Sequence, residues 1–183
     1  MVNMTEIRWH GRGGQGAVAS AEMLALAAID EGKSAQAFPS FGPERRGAPV
    51  MAFTRVANEF IYIRTGITEP DVVVVIDPTV MGAVDVTSGL KEGGIVVANT
   101  SIGKEELARK YDVKHTLYVV NANKIAVEEI GRPITNTTMM GAMVKATGVI
   151  DLKSVEKQIE HRFPAIAEKN IKALRRAYEE TQV

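Results

Sequence analysis

The chain has 183 residues, 45% of them hydrophobic and 24% charged, a composition that suits one medium domain with a continuous core. Its 22 basic and 22 acidic residues cancel, which removes the global field that would draw it to nucleic acid or to an anionic membrane. It has no cysteine, so by itself it offers no disulfide, no thiolate nucleophile and no cysteine-ligated zinc or iron–sulfur cluster.

The first residues lack the basic-then-apolar pattern of a signal peptide, and the longest apolar run, Val72 to Ile76, is far too short to span a bilayer. A cytoplasmic protein is the expectation. Thr5 to His10 reads as a strand, and Ala17 to Glu31, rich in Ala, Leu and Met, as a helix closed by Gly32. Between them lies a glycine loop, so the chain begins with a Rossmann-like strand, loop and helix. Ser34 to Phe38 is a further extended piece, and residues 39–49 follow as a loop whose backbone is restricted by Pro39, Pro43 and Pro49.

Residues 50–56 and 60–65 are β-rich and separated by Ala57, Asn58 and Glu59, which predicts an antiparallel hairpin. Residues 71–77 are apolar on both faces, as befits a central parallel strand ending sharply at Asp77-Pro78. Two more strands are expected within 93–100 and 114–122, with a short helix at 104–111 between them. Beyond Asn123 the pattern is helical, and Ile166, Ile171, Leu174 and Tyr178 give the last helix an apolar stripe for packing on its own domain. The whole predicts a three-layer α/β/α domain with a mixed, mostly parallel sheet and a helical C-terminal tail.

Gly11, Gly13 and Gly16 match G-x-G-x-x-G between a strand and a helix, the context in which that spacing has a physical meaning. Glycines let the backbone N–H groups approach a pyrophosphate, the helix adds the positive end of its dipole, and Arg12 adds a cation. The dinucleotide reading also needs an acidic residue at the end of the second strand, roughly 20 residues on. Asp30 and Glu31 have that spacing but precede Gly32 and so fall at a helix end, which disfavours NAD. A tight strand-to-helix turn without a ligand remains open as the bland alternative. The "EGKS" at residues 31–34 lacks the first glycine of a P-loop, because position 27 is Ala27.

His10, His115 and His161 are not spaced as metal ligands, and His10 beside the loop reads as structural. Asp77 is placed to cap the following turn, and Asn136, Thr137 and Thr138 to cap the next-to-middle helix of the tail or to offer polar groups nearby. In "SFGPERRGAPV", residues 40–50, Arg45 and Arg46 alternate sides of an extended chain, so one can pair with Glu44 while the other faces an anion or a partner. Composition alone makes this a solvated turn, whereas its prolines reduce the entropy lost on docking.

Residues 11–25, 38–50 and 69–79, with 136–148 further along, together resemble the γ subunit of 2-oxoacid:ferredoxin oxidoreductases, equivalent to the third domain of single-chain pyruvate:ferredoxin oxidoreductase. The resemblance extends over essentially the whole chain and is nearer to pyruvate and branched-chain members than to 2-oxoglutarate members. It implies one domain, residues 1–183, in a complex of anaerobic metabolism. Such a complex decarboxylates a 2-oxoacid oxidatively with coenzyme A, giving acyl-CoA, carbon dioxide and reduced ferredoxin. It further implies α, β and δ partner subunits or fused equivalents, with thiamine diphosphate and iron–sulfur clusters held by those partners and none by this chain alone. By the same resemblance Gly11, Arg12, Gly13, Gly14, Gln15 and Gly16 face coenzyme A, and Phe41, Pro43, Glu44, Arg45 and Arg46 dock on the catalytic subunits. The chain itself carries no catalytic residue. The rivals are an assembly module that binds no small molecule and a free-standing NAD-dependent enzyme.

Overall fold

A computed structural model describes residues 4–40 and 46–183. Strand β1 (Met4–Arg12) opens the chain and leads through the glycine loop into helix α1 (Ala17–Asp30). There follow β2 (Ser34–Pro39), β3 (Pro49–Ala57), β4 (Val72–Val75), a 3-10 turn at Pro78–Gly82, β5 (Ile95–Asn99), α2 (Lys104–Tyr111) and β6 (Thr116–Val120). The remainder is α3 (Ala122–Ile130), α4 (Asn136–Thr147), α5 (Leu152–Arg162), a 3-10 turn at Pro164–Ile166 and α6 (Ala167–Glu180).

The strands form one sheet in the order β2-β3-β1-β4-β5-β6. β1, β4, β5 and β6 are parallel to their mutual neighbours, while β3 runs antiparallel to both β1 and β2. The sheet is mixed and mostly parallel, in keeping with the sequence reading. The hairpin is not. Both edges of β3 are already occupied, so residues 60–65 have no ladder to join and cross the sheet as an irregular strap. Side chains bond its backbone instead: Ile61 N–H donates to the Ser34 hydroxyl, and the Gln36 amide donates to the Ile61 carbonyl.

Alternation along the strands divides the core between two faces. Val72, Val74, Ile76, Val97 and Val120 pack with α1, α3, α4, α5 and α6, whereas Val73, Val75, Val96, Ala98 and Val119 pack with α2 and the first 3-10 turn. The α/β/α layering is therefore lopsided. α6 puts Leu174 of its predicted stripe into the larger core together with Ala173 and Ala177, and packs Ile171 and Tyr178 partly against it, whereas Ile166 lies exposed in the turn before the helix; α6 crosses α4 closely because Gly141 has no side chain there.

On the thinly covered side of β1 and β3 the inward residues are Glu6, Arg8, His10, Phe53 and Arg55 rather than aliphatics. Arg55, 1% exposed, donates to Glu6 at 2.8 Å and to the Gly66 carbonyl at 3.3 Å. Arg8 donates to the carbonyls of Val86 and Ser88 at 2.8 and 2.7 Å. Where a helix would satisfy its own backbone, these loops bring orphan carbonyls over the sheet, and buried guanidinium groups answer them.

Candidate functional site

The connection leaving β1 goes to α1 on one face of the sheet, and the connection leaving β4 goes to the 3-10 turn on the other. A crevice opens at the carboxyl ends of these neighbouring strands, the place where open α/β sheets bind ligands. The glycine loop forms one wall of it. Two positions in the loop require glycine: Gly14 at φ +90° and Gly16 at φ +82°, both left-handed. Gly11 has no such need, since a Cβ there would make ordinary contacts of 3.5 Å or more.

Gln15 ties the loop to the end of β4. Its Oε1 accepts from the Arg12 N–H at 2.7 Å and its Nε2 donates to Asp77 Oδ2 at 2.6 Å. Asp77 caps the 3-10 turn, accepting at Oδ1 from the Thr79 N–H and hydroxyl at 2.8 and 2.7 Å. Burial alone would raise the Asp77 carboxyl. The hydrogen bonds from Thr79 and Gln15 and the charge of Arg12 outweigh it, so the group titrates below its ordinary range and stays ionised.

Arg12 is not the mobile cation its place in the loop suggests. Its guanidinium donates to the Thr79 hydroxyl at 2.8 Å and to the Gly47 carbonyl at 3.0 Å, and it lies 3.7 Å from Asp77. It acts as a clamp, holding residues 46–48 against the loop. Gly13 completes that contact by donating to the Ala48 carbonyl at 2.9 Å and accepting from the Gly47 N–H at 3.2 Å. The exposed Arg46 is thereby carried to a shallow depression lined by Gly13, Gly14 and Gln15. Of the expected docking residues Arg46 alone is described; Phe41, Pro43, Glu44 and Arg45 lie outside the described residues.

The backbone N–H groups of Gly14, Gly16 and Ala17 find no acceptor among the described residues. Gly14 and Gly16 border a cleft of about 270 Å³ whose other walls come from the α3–α4 connection, the first residues of α4 and the turn between α5 and α6. Ile130, Pro133, Ile134, Phe163 and Ile166 make it largely apolar, and Asn136 supplies a polar floor. Asn136 is 6% exposed, its Oδ1 has no hydrogen-bond partner, and its Nδ2 lies 2.9 Å from where a Cβ on Gly16 would sit. The side chain does not cap α4, nor does that of Thr135. The structure thus goes against the capping role read from the sequence at this position. The Thr137 hydroxyl instead donates to Asn170 at 2.7 Å, inside the core.

The acidic pair needed to hold a ribose is at the wrong end of α1. Glu31 accepts from Lys33 and from the Asp151 N–H, and Asp30 accepts from Gln158. The helix's 14 residues put them about 20 Å from the loop. His10 is a structural residue, as read from the sequence. It is 2% exposed and its Nε2 accepts from Arg8 Nε at 3.0 Å, so the proton sits on Nδ1. Burial, reinforced by the Arg8 charge and opposed by Asp85, lowers its pKa to about 3 and keeps it neutral. Sequence reasoning missed the buried Arg8 and Arg55; for Asn136 it favoured a cap over a polar group near the loop, and the cleft wall is where the residue lies. The alternation Glu6, Arg8, His10 against Ile7 and Trp9 was the available signal for the arginine on β1.

Residues 6–180 match the family model described as pyruvate ferredoxin/flavodoxin oxidoreductase. The chain belongs to this family. It is 56% identical over 182 residues, covering 98% of both chains, to the pyruvate/ketoisovalerate oxidoreductases common subunit gamma of Pyrococcus furiosus. It is 51% identical over 180 residues to pyruvate synthase subunit PorC of Methanothermobacter thermautotrophicus, covering 98% of this chain and 97% of that one. The crystal structure of the pyruvate oxidoreductase subunit PORC from Thermotoga maritima superposes with a TM-score of 0.87 at 44% identity, covering 98% of this chain and 97% of that one. The chain is thus of the family's gamma type, and the fold is that of its gamma subunits.

Proposed function

We propose that this gamma-type chain works inside a 2-oxoacid:ferredoxin oxidoreductase complex, where it helps to bind coenzyme A and to hold the subunits together. The reaction is oxidative decarboxylation of pyruvate or a related 2-oxoacid to acyl-CoA, carbon dioxide and reduced ferredoxin. The observation that supports the ligand reading is the glycine loop: its N–H groups at Gly14 and Gly16 have no acceptor among the described residues and border a cleft, and the exposed Arg46 lines the neighbouring depression at Gly13, Gly14 and Gln15. Such a loop accepts a phosphate, and the apolar wall beside it accepts the pantetheine arm.

With no cysteine, the chain leaves the ligation of iron–sulfur clusters to its α, β and δ partners, and thiamine diphosphate belongs with them in this reading. Those cofactors carry the bond-breaking chemistry; the gamma chain binds and orients the acceptor thiol. Gln15, Arg12 and Asp77 contribute by fixing the loop before the ligand arrives, so little ordering entropy is lost on binding.

The test is Gly14→Val in the assembled complex. A β-branched residue is strained at φ +90° and disorders the loop, while the space around Gly14 is open and the core is untouched. The KM for coenzyme A is expected to rise at least tenfold with the KM for the 2-oxoacid unchanged. An unchanged coenzyme A KM overturns the reading.

A further inference from the structure

Asn99 is the last residue of β5 and is 1% exposed. β5 lies between β4 and β6, and where the two ladders end the Asn99 side chain takes over from the backbone. Its Nδ2 donates at 2.9 Å to the carbonyl of Ile76, just past β4, and its Oδ1 accepts at 3.0 Å from the N–H of Ala122, the first residue of α3. A longer bond runs from Nδ2 to Asn123 Oδ1 at 3.3 Å.

The two backbone partners lead to different walls of the cleft. Ile76 precedes Asp77, whose carboxylate accepts from Gln15 Nε2 at 2.6 Å, and Gln15 lines the cleft with Gly14 and Gly16. Ala122 opens the nine residues of α3, and the last of them, Ile130, lines the cleft together with Pro133 and Ile134 of the connection that follows. A helix of that length moves as a rod, so a displacement of Ala122 is delivered to Ile130, about 12 Å along the axis. Asn121 stiffens the same end by accepting from the Lys124 N–H at 3.0 Å.

Resting on the coenzyme A reading, we infer that Asn99 is a positioning residue for coenzyme A, a strut that sets the spacing between the glycine loop and the α3–α4 connection without touching the ligand. Spacing matters because a gap of about 1 Å forfeits up to roughly half of each dispersion contact with an apolar arm. Asparagine fits the task, since one short side chain donates at one end and accepts at the other, matching a carbonyl beyond β4 and an N–H on α3. Aspartate has the same shape but aims an acceptor at the Ile76 carbonyl.

The decisive variant is Asn99→Ala, made in the assembled complex. The small polar space it leaves admits a water that bonds the freed Ile76 carbonyl and Ala122 N–H, so the fold is kept while the strut is lost. The KM for coenzyme A is expected to rise about tenfold, with kcat and the 2-oxoacid KM unchanged. Asn99→Asp is expected to raise it further. Asn123→Ala removes only the 3.3 Å bond, to an exposed partner, and is expected to leave the KM at the parent's value. Gln15→Ala cuts the same line of contacts at the loop, so combining it with Asn99→Ala is expected to raise the KM by less than the product of the two separate effects.

A lowered melting temperature or kcat in Asn99→Ala with an unchanged coenzyme A KM marks a merely structural residue and overturns the strut, while a raised KM in Gly14→Val leaves the coenzyme A reading standing. A loss as large in Asn123→Ala, or effects of Asn99→Ala and Gln15→Ala that multiply, overturns the strut as well. If Gly14→Val leaves the coenzyme A KM unchanged, the coenzyme A reading falls and the strut falls with it.

Discussion

At the scale of single residues, the informative side chains are the polar ones the fold has buried. His10 stays neutral at a pKa of about 3, against an ordinary value of 6.5. The unfolded chain therefore binds more protons than the folded one between those values, and stability falls as pH drops from 6.5 toward 3. Asp77 and Asp85 titrate below their ordinary 3.8, so they add acid sensitivity only at lower pH. His10→Gln, which keeps an acceptor for Arg8, is expected to flatten the urea-unfolding free energy between pH 6.5 and 5, and an unaltered slope there would show that His10 is not the titrating group. Arg55 makes a second case. Glu6→Gln removes the charge that Arg55 faces at 2.8 Å and is expected to destabilise the chain by about 3 kcal/mol, measured by denaturant titration.

At the scale of elements, small residues decide how closely helices approach. A Cβ added at Gly141 would collide with the Leu174 carbonyl oxygen, so α4 and α6 can cross only where α4 has none. Gly141→Ala is expected to cost about 3 kcal/mol despite alanine's better helix propensity, because packing must give way along both helices. A stability equal to the parent's would mean that α6 docks more loosely than its buried Leu174 and Ala177 imply. The same crossing seats α6 and the turn before it against the cleft, through Asn170, which accepts from the Thr137 hydroxyl and donates to the Ile166 carbonyl at 2.9 Å. Loosening α6 is thus expected to raise the coenzyme A KM as well.

At the scale of the whole molecule, the proposed role makes the chain a binding layer for chemistry done on its partners. Its carboxyl-end crevice has clamps, orphan donors and a neutral structural histidine, but among the described residues no group of three His, Asp or Glu side chains that could hold a metal. The purified chain alone is therefore expected to reduce no ferredoxin with any 2-oxoacid, and to restore activity when added to a complex lacking it. Activity from the isolated chain would require a different mechanism. If, as proposed, the loop meets the acceptor and not the 2-oxoacid, Gly14→Val is expected to lower turnover at subsaturating coenzyme A by the same factor for every 2-oxoacid the complex accepts. Unequal factors would place the substrate's side chain against this subunit.

Much of this was legible in the linear chain because it depends on local chemistry. Continuous apolar runs marked β4, β5 and β6; Pro78 after Asp77 marked the end of β4; glycine clustering marked the loop; and the absence of cysteine excluded cysteine ligation of a cluster by this chain. Three features depended on who the neighbours are, which spacing does not encode. Residues 60–65 have strand composition but no free edge to pair with, since β1 and β2 flank β3. Arg12 looks free in sequence and is spent on Thr79 and Gly47, residues distant in the chain. Asn136 looks like a helix cap, yet α1 arrives from 116 positions earlier to meet its backbone through Ser20, and its amide is left facing a cleft. Local patterning determined most of the elements and their order; the tertiary packing alone decided which strand had a free edge and which polar groups were satisfied or left without a partner.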